Sequence, residues 1–156
     1  MMIRKITVTF CALLCLIILL CSCGDVIVDP KWIIGVKGAD TSYFSSIEYG
    51  QLREVTITVE KEQQDGSVIE EEWKGVRLKD VLDFLDITNY ASITLSSSDD
   101  YSIEYTPDII NDPLTILGTN VNGRDIKYED GYVQTVAGNQ PESMWVKKPN
   151  KMTVNE

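Results

Sequence analysis

The chain has no histidine, and its four cysteines, Cys11, Cys15, Cys21 and Cys23, all fall at its very start. Without an imidazole, Ser-His-Asp and Cys-His catalysis are unavailable in their usual form. Beyond Cys23 there is neither thiolate nor imidazole, so a typical zinc site has no ligands to draw on. No intrachain disulfide can form there either, and stability must come from a hydrophobic core. Positive charge is scarce as well: 14 Lys and Arg stand against 24 Asp and Glu, a net charge of −10. That balance disfavours nucleic acid as a partner. It also disfavours loose adhesion to anionic headgroups and serves solubility. There is no internal repeat and no low-complexity tract.

The first residues follow the order of a secretory signal, charged, then apolar, then small. Arg4 and Lys5 open it, Ile6 to Leu20 is almost wholly apolar, and Ser22 precedes Cys23 in Leu20-Cys21-Ser22-Cys23-Gly24-Asp25. The apolar stretch is short of the roughly 20 residues needed to span a bilayer. Asp25 and Asp29 follow it, where a stop-transfer segment would be basic. The run resembles the lipobox of bacterial lipoproteins, although Cys21 stands where Ala or Ser is more usual. That resemblance implies that residues 1–22 are removed and that the Cys23 thiol receives a diacylglyceryl group as the new N-terminus. The protein would then be held by a lipid anchor at the extracytoplasmic face of the cell membrane, without spanning it. Residues 23–31 would serve as a tether and 32–156 as a single domain. Since Arg4 and Lys5 are the leader's only charges, the remainder carries −12.

Along the domain, Trp32 to Val36 begins a strand-like alternation. Ser45 with Glu48 three residues on has the form of a capping box for one helical turn. Val55-Thr56-Ile57-Thr58-Val59-Glu60 alternates with period two and predicts a strand. Gln64-Asp65-Gly66 supplies a turn, and Ser67 to Trp73 returns as the second arm of a hairpin. Lys74 to Leu78 reads as a turn into a helix whose apolar face is Leu78, Val81, Leu82 and Leu85. Ala91 to Ser97 and Tyr101 to Tyr105 read as strands around the turn Ser98-Asp99-Asp100. Thr106-Pro107 starts a short helix, with Thr as N-cap and Pro at the first position, that ends by Asp112-Pro113. Leu114 to Val121 is a strand closed by the hairpin turn Asn122-Gly123. Tyr132 to Ala137, Trp145 to Lys148 and Lys151 to Val154 are short final strands. The fold class expected is α+β: one strand-dominated domain with few short helices.

The segment Trp73-Lys-Gly75-Val76-Arg-Leu78-Lys-Asp80-Val81-Leu82 resembles the helix entry of the molybdopterin-binding domain of the sulfite oxidase family. Ser98-Asp99-Asp100-Tyr101 stands where that family has a strand ending in Asp-Gly-Tyr. Asn122-Gly123 matches an Asn-Gly turn of the family, and Trp145-Val146-Lys147-Lys148 matches its terminal Trp-Val-Lys stretch. The similarity covers most of residues 32–154 and implies the molybdopterin-binding fold. Enzymes of that family hold molybdenum through a cysteine sulfur and surround the pterin phosphate with Arg and His. This chain departs from them. It has no cysteine to spare and no histidine, Asp100 replaces the Gly of the turn, and Gly131 to Val136 lacks the family's Arg. It is about half the length of a full catalytic domain. The resemblance therefore supports the fold and argues against sulfite-type oxygen-atom transfer. Coordination of molybdenum by the pterin dithiolene alone stays open.

Three groups carry the candidate ligand-binding residues. Asp99, Asp100 and Tyr101 stand at a turn that leads into a cleft in the family, although Asp is also an ordinary turn former. Trp145, Lys147 and Lys148 could grip an anion or a planar ring; the plainer account is a core Trp beside solvated lysines. Arg124, after the Asn122-Gly123 turn, could reach the same ligand. Gly138-Asn139-Gln140-Pro141 is a loop just before them, and loops often carry ligand contacts. Glu70-Glu71-Glu72 reads as a solvated strand edge that discourages edge pairing. No catalytic residue and no metal ligand are assigned. The expectation is a non-catalytic binding module for a pterin-like small molecule, with molybdopterin as the cofactor to test, or for a membrane redox partner. The alternatives are a molybdopterin-dependent oxidoreductase with non-cysteine coordination and a cell-surface interaction protein.

Overall fold

The computed structural model describes residues 28–63 and 65–156. The leader, Cys23 and the first part of the expected tether lie outside the described residues. Among the described residues, eleven strands form two sheets. In the first the order is β2 (Tyr43–Ser45), β1 (Ile33–Lys37), β11 (Pro149–Asn155), β5 (Ser92–Ser97) and β6 (Ser102–Tyr105). In the second it is β10 (Val146–Lys147), β9 (Gln134–Ala137), β7 (Thr115–Val121), β4 (Val68–Arg77) and β3 (Glu54–Glu62), with β8 (Arg124–Asp125) added beside β7. Among the described residues only β1 and β11 pair in parallel, and the other pairs are antiparallel. One contiguous core draws on both sheets, from Ile34, Phe44, Leu95 and Met152 on one to Val76, Ile116, Leu117 and Val136 on the other. No helix among the described residues is long and apolar enough to cross a membrane.

The helices are short and each has a local cause. In α1 (Ser46–Tyr49) the capping box closes as the spacing predicts. Ser45 Oγ accepts the Ile47 N–H at 3.2 Å, and the Glu48 carboxylate accepts the Ser45 N–H at 2.9 Å. In α2 (Leu78–Phe84) the apolar face is fully covered, with Leu78, Val81 and Leu82 at 0 % exposure. Each such side chain contributes about 1.5–3 kcal/mol relative to leaving it in water. In α3 (Pro107–Asn111), Pro107 holds the first turn, but the Thr106 side chain makes no capping hydrogen bond.

The stretch Lys74–Arg77 departs from the expected turn. It continues β4, pairing with β3 on one side and β7 on the other, and α2 follows without a loop. The cause is a nonlocal approach at Gly75. A Cβ there would sit 2.2 Å from the Leu117 carbonyl oxygen, so only a residue without one lets β4 and β7 meet at their register shift. The strand expected from Tyr132 begins at Gln134 instead, because Tyr132 takes φ +65° and turns the chain. The expected Asn122-Gly123 turn forms with both residues at positive φ and joins Val121 to Arg124 in register. The three glutamates are not equivalent. Glu70 and Glu72 are exposed, but Glu71 accepts the Trp73 Nε1–H at 3.0 Å and pairs with Lys61 at 3.6 Å.

A surface built on strand β10

Strand β10 is two residues long, yet most of the candidate side chains meet around it. It leaves the second sheet at Lys147, turns at Lys148 with φ +51°, and enters the first sheet as β11. Gly131 makes that turn possible. Its φ is +81°, and a Cβ there would lie 2.6 Å from Lys148 Cγ. Two grooves flank the strand, and the exposed Lys147 side chain lines both.

The first groove, of about 410 Å³, lies between the β5–β6 turn and the 3₁₀ turn Glu142–Met144. Ser97, Asp99 and Tyr101 form one wall, and Glu142, Ser143, Trp145 and Lys147 the other. Two tyrosines hold the walls together. The Tyr101 hydroxyl donates to the Ser143 carbonyl, and the Tyr105 hydroxyl donates to the Met144 carbonyl at 2.6 Å. Burial pushes the Tyr105 phenol far up, and the nearby Tyr101 adds to the shift. Asp99 accepts from the Ser97 hydroxyl and from the Tyr101 N–H. The Ser97 hydroxyl is the main cause that holds its carboxyl below the usual range, and the Lys148 charge helps. Asp100 sits at φ +64° in the turn, exposed, and lines neither groove.

Trp145 borders this groove but belongs to the core. It is 4 % exposed, its Nε1–H donates to the Ala137 carbonyl at 3.0 Å, and its ring meets Trp73 edge to face with centroids 5.8 Å apart. Neither face of the indole is offered to a planar ligand. Glu142 sits between two lysines, with Lys61 Nζ at 3.1 Å and Lys147 Nζ at 3.7 Å. Such exposed pairs are worth about 0–1 kcal/mol each and leave Lys147 free to move.

The second groove, of about 360 Å³, lies under β8 and the 3₁₀ turn Tyr128–Asp130. Arg124, Lys127, Lys147 and Lys148 line it, together with Asp125, Glu129, Asp130 and Trp73. Arg124, Lys127 and Lys148 make no ion pair among the described residues. Asp125 is partly engaged, accepting from Asn120 Nδ2 at 2.8 Å. The fold thus brings Arg124 to the adjacent Lys147 and Lys148, and Asp99 and Tyr101 face the other groove. Lys127 and Glu142 were missed by sequence reasoning. No local pattern distinguishes Lys127, and Glu142 matters only through lysines brought to it by the fold.

A family model described as the oxidoreductase molybdopterin binding domain matches residues 36–156. Among solved structures, the crystal structure of the sulfane dehydrogenase SoxCD from Paracoccus pantotrophus aligns with a TM-score of 0.69 at 16% sequence identity. The alignment covers 83% of this chain and 40% of that one, so the chain spans less than half the length of this neighbour. At that identity the likeness is one of fold. No curated protein matches the chain.

Proposed function

The chain belongs to the oxidoreductase molybdopterin-binding domain family, and we propose that within it the chain is a binding module without metal chemistry, tethered to the membrane through Cys23. The donor set decides how far the family's cofactor fits. Beyond Cys23 the chain has no thiolate and no imidazole. Among the described residues no group of three or more His, Cys, Asp or Glu is placed to hold a metal ion. The metal end of a molybdenum cofactor therefore finds no thiolate or imidazole beyond Cys23. An anionic end is better served, because Arg124, Lys127, Lys147 and Lys148 converge on one groove.

That convergence is the observation that carries the proposal. Although Asp125, Glu129 and Asp130 share its lining, the groove keeps a cationic excess in a chain that is strongly acidic beyond the leader, and that excess favours a negative group there. Arg124 presents a planar fork suited to a phosphate or carboxylate, and the lysines add point charges. The ligand class is a pterin-like small molecule with an anionic group, or the acidic surface of a membrane redox partner. The lipid anchor would hold this groove at the extracytoplasmic face.

Calorimetry of the mature chain in detergent, titrated with molybdopterin, tests the small-molecule form. Saturable binding that weakens with salt is expected. Heats indistinguishable from dilution, for molybdopterin and for its phosphate-bearing fragments, would remove the ligand and leave only the protein partner.

A further inference from the structure

We propose that the domain rests directly on the lipid bilayer, by the face that bears a groove of about 510 Å³ beside the tether. This rests on the reading of Cys23 as the lipid anchor.

The tether enters the domain at this face. Val28, the first residue described, lines the groove and is 62 % exposed. It follows Cys23 by five residues, which can span at most about 18 Å when fully extended. The chain is then pinned. The Lys31 N–H donates to Ser46 Oγ at 2.8 Å, and the Ser46 N–H donates to the Trp32 carbonyl at 3.2 Å. A lipid on Cys23 therefore keeps this side of the domain within about 18 Å of the membrane surface.

The side chains of this face suit lipid. Beside Val28 stand Ile47, 42 % exposed on α1, and the half-buried Trp32, packed against Phe44 and Tyr49. Ile126 and Tyr132 continue the groove. The ring of Tyr132 meets that of Tyr128, which is 78 % exposed. Apolar side chains with Trp and Tyr around them suit the headgroup level of a bilayer, where ring bodies are buried and polar tips stay wet. A contiguous patch of this kind marks a contact surface more often than scattered single residues do.

Charge narrows the lipid. Asp29 and Asp125 outweigh Lys31 at this groove, so the contact is made by apolar burial on zwitterionic lipid, and anionic lipid weakens it. Asp125 and Ile126 also line the cationic groove, so docking would set the mouth of that groove beside the membrane.

The test uses the scarcity of thiols. After processing, the only cysteine is Cys23, whose sulfur carries the lipid, so an Ile47→Cys variant takes a single environment-sensitive fluorophore. The lipidated chain is incorporated into phosphatidylcholine vesicles and checked by flotation. A blue shift at position 47 is expected, lost on adding Val28→Asp and reduced in vesicles rich in phosphatidylglycerol. A label at Val68→Cys should stay water-like, because Val68 is at the far end of the β3–β4 hairpin, eight residues or about 27 Å along the strand from Val76. Flotation with a water-like signal at position 47 overturns the docking and leaves the anchor intact. An equal shift at positions 47 and 68 overturns it too. Failure to float overturns anchor and docking together.

Discussion

Trp73 and Trp145 meet edge to face, at an interplanar angle of 85°, and form the partition between the two grooves at β10. Trp145 borders one groove and Trp73 the other, and each indole N–H is already satisfied, by Ala137 and Glu71. Replacing Trp145 by Ala removes a buried ring and should cost about 3–5 kcal/mol. Trp145→Phe keeps most of the packing, and the Ala137 carbonyl retains its bond from the Gln140 N–H at 2.9 Å. Its cost should be near 1 kcal/mol for the lost hydrogen bond, plus the smaller ring. Urea unfolding of the two variants measures the difference.

Gly75 should be far less replaceable than its place in an exposed-looking sequence suggests. Its neighbour at 2.2 Å is the backbone oxygen of Leu117, which cannot rotate away as a side chain would. Gly75→Ala should separate β4 from β7 and cost about 3 kcal/mol or more, at the upper end of overpacking effects. Thermal unfolding, or failure to accumulate as folded protein, reads the outcome. A stability within 1 kcal/mol of the parent would contradict the close approach.

Alkaline pH should unfold the domain through its buried phenols. Burial pushes the Tyr49 phenol to about 12, with the Glu54 charge adding to the shift and the Thr119 hydroxyl opposing it. Burial likewise raises Tyr105. An unfolded tyrosine ionises near pH 10. A folded-state value above the unfolded one means that this stability is complete below about pH 10 and is lost as the pH rises towards 12. Phenolate absorbance during a pH titration should show Tyr49 and Tyr105 ionising last and together with unfolding. In Tyr49→Phe the alkaline loss should be smaller, and at neutral pH the variant should be about 1 kcal/mol less stable, for its bond to Thr119 Oγ1 at 3.1 Å.

Features whose causes are local were legible in the sequence. The Ser45–Glu48 box, the face of α2, the β3–β4 hairpin and the Asn122-Gly123 turn each depend on residues within a few positions of one another. Lys74–Arg77 was not legible as strand, because the reason for it is Leu117, which is 40 or more residues away. The site divides in the same way. Arg124, Lys147 and Lys148 could be picked out as cations in an acidic chain, but their common groove depends on β10 lying near β8 in the fold. Lys127 had no local signal, and Trp145, read as a possible ring contact or a core residue, proves to be core for want of an exposed face.

We propose that this chain uses a cofactor family's fold to hold an anion and not to hold a metal. The most direct measurement combines metal analysis with ligand titration of one preparation, made in a host that synthesises molybdenum cofactor. The account predicts molybdenum far below one per chain, together with molybdopterin binding that the Arg124→Ala, Lys148→Ala double variant weakens at least tenfold, about 1.4 kcal/mol. One tightly held molybdenum per chain, or molybdopterin affinity unchanged in the double variant, would contradict it.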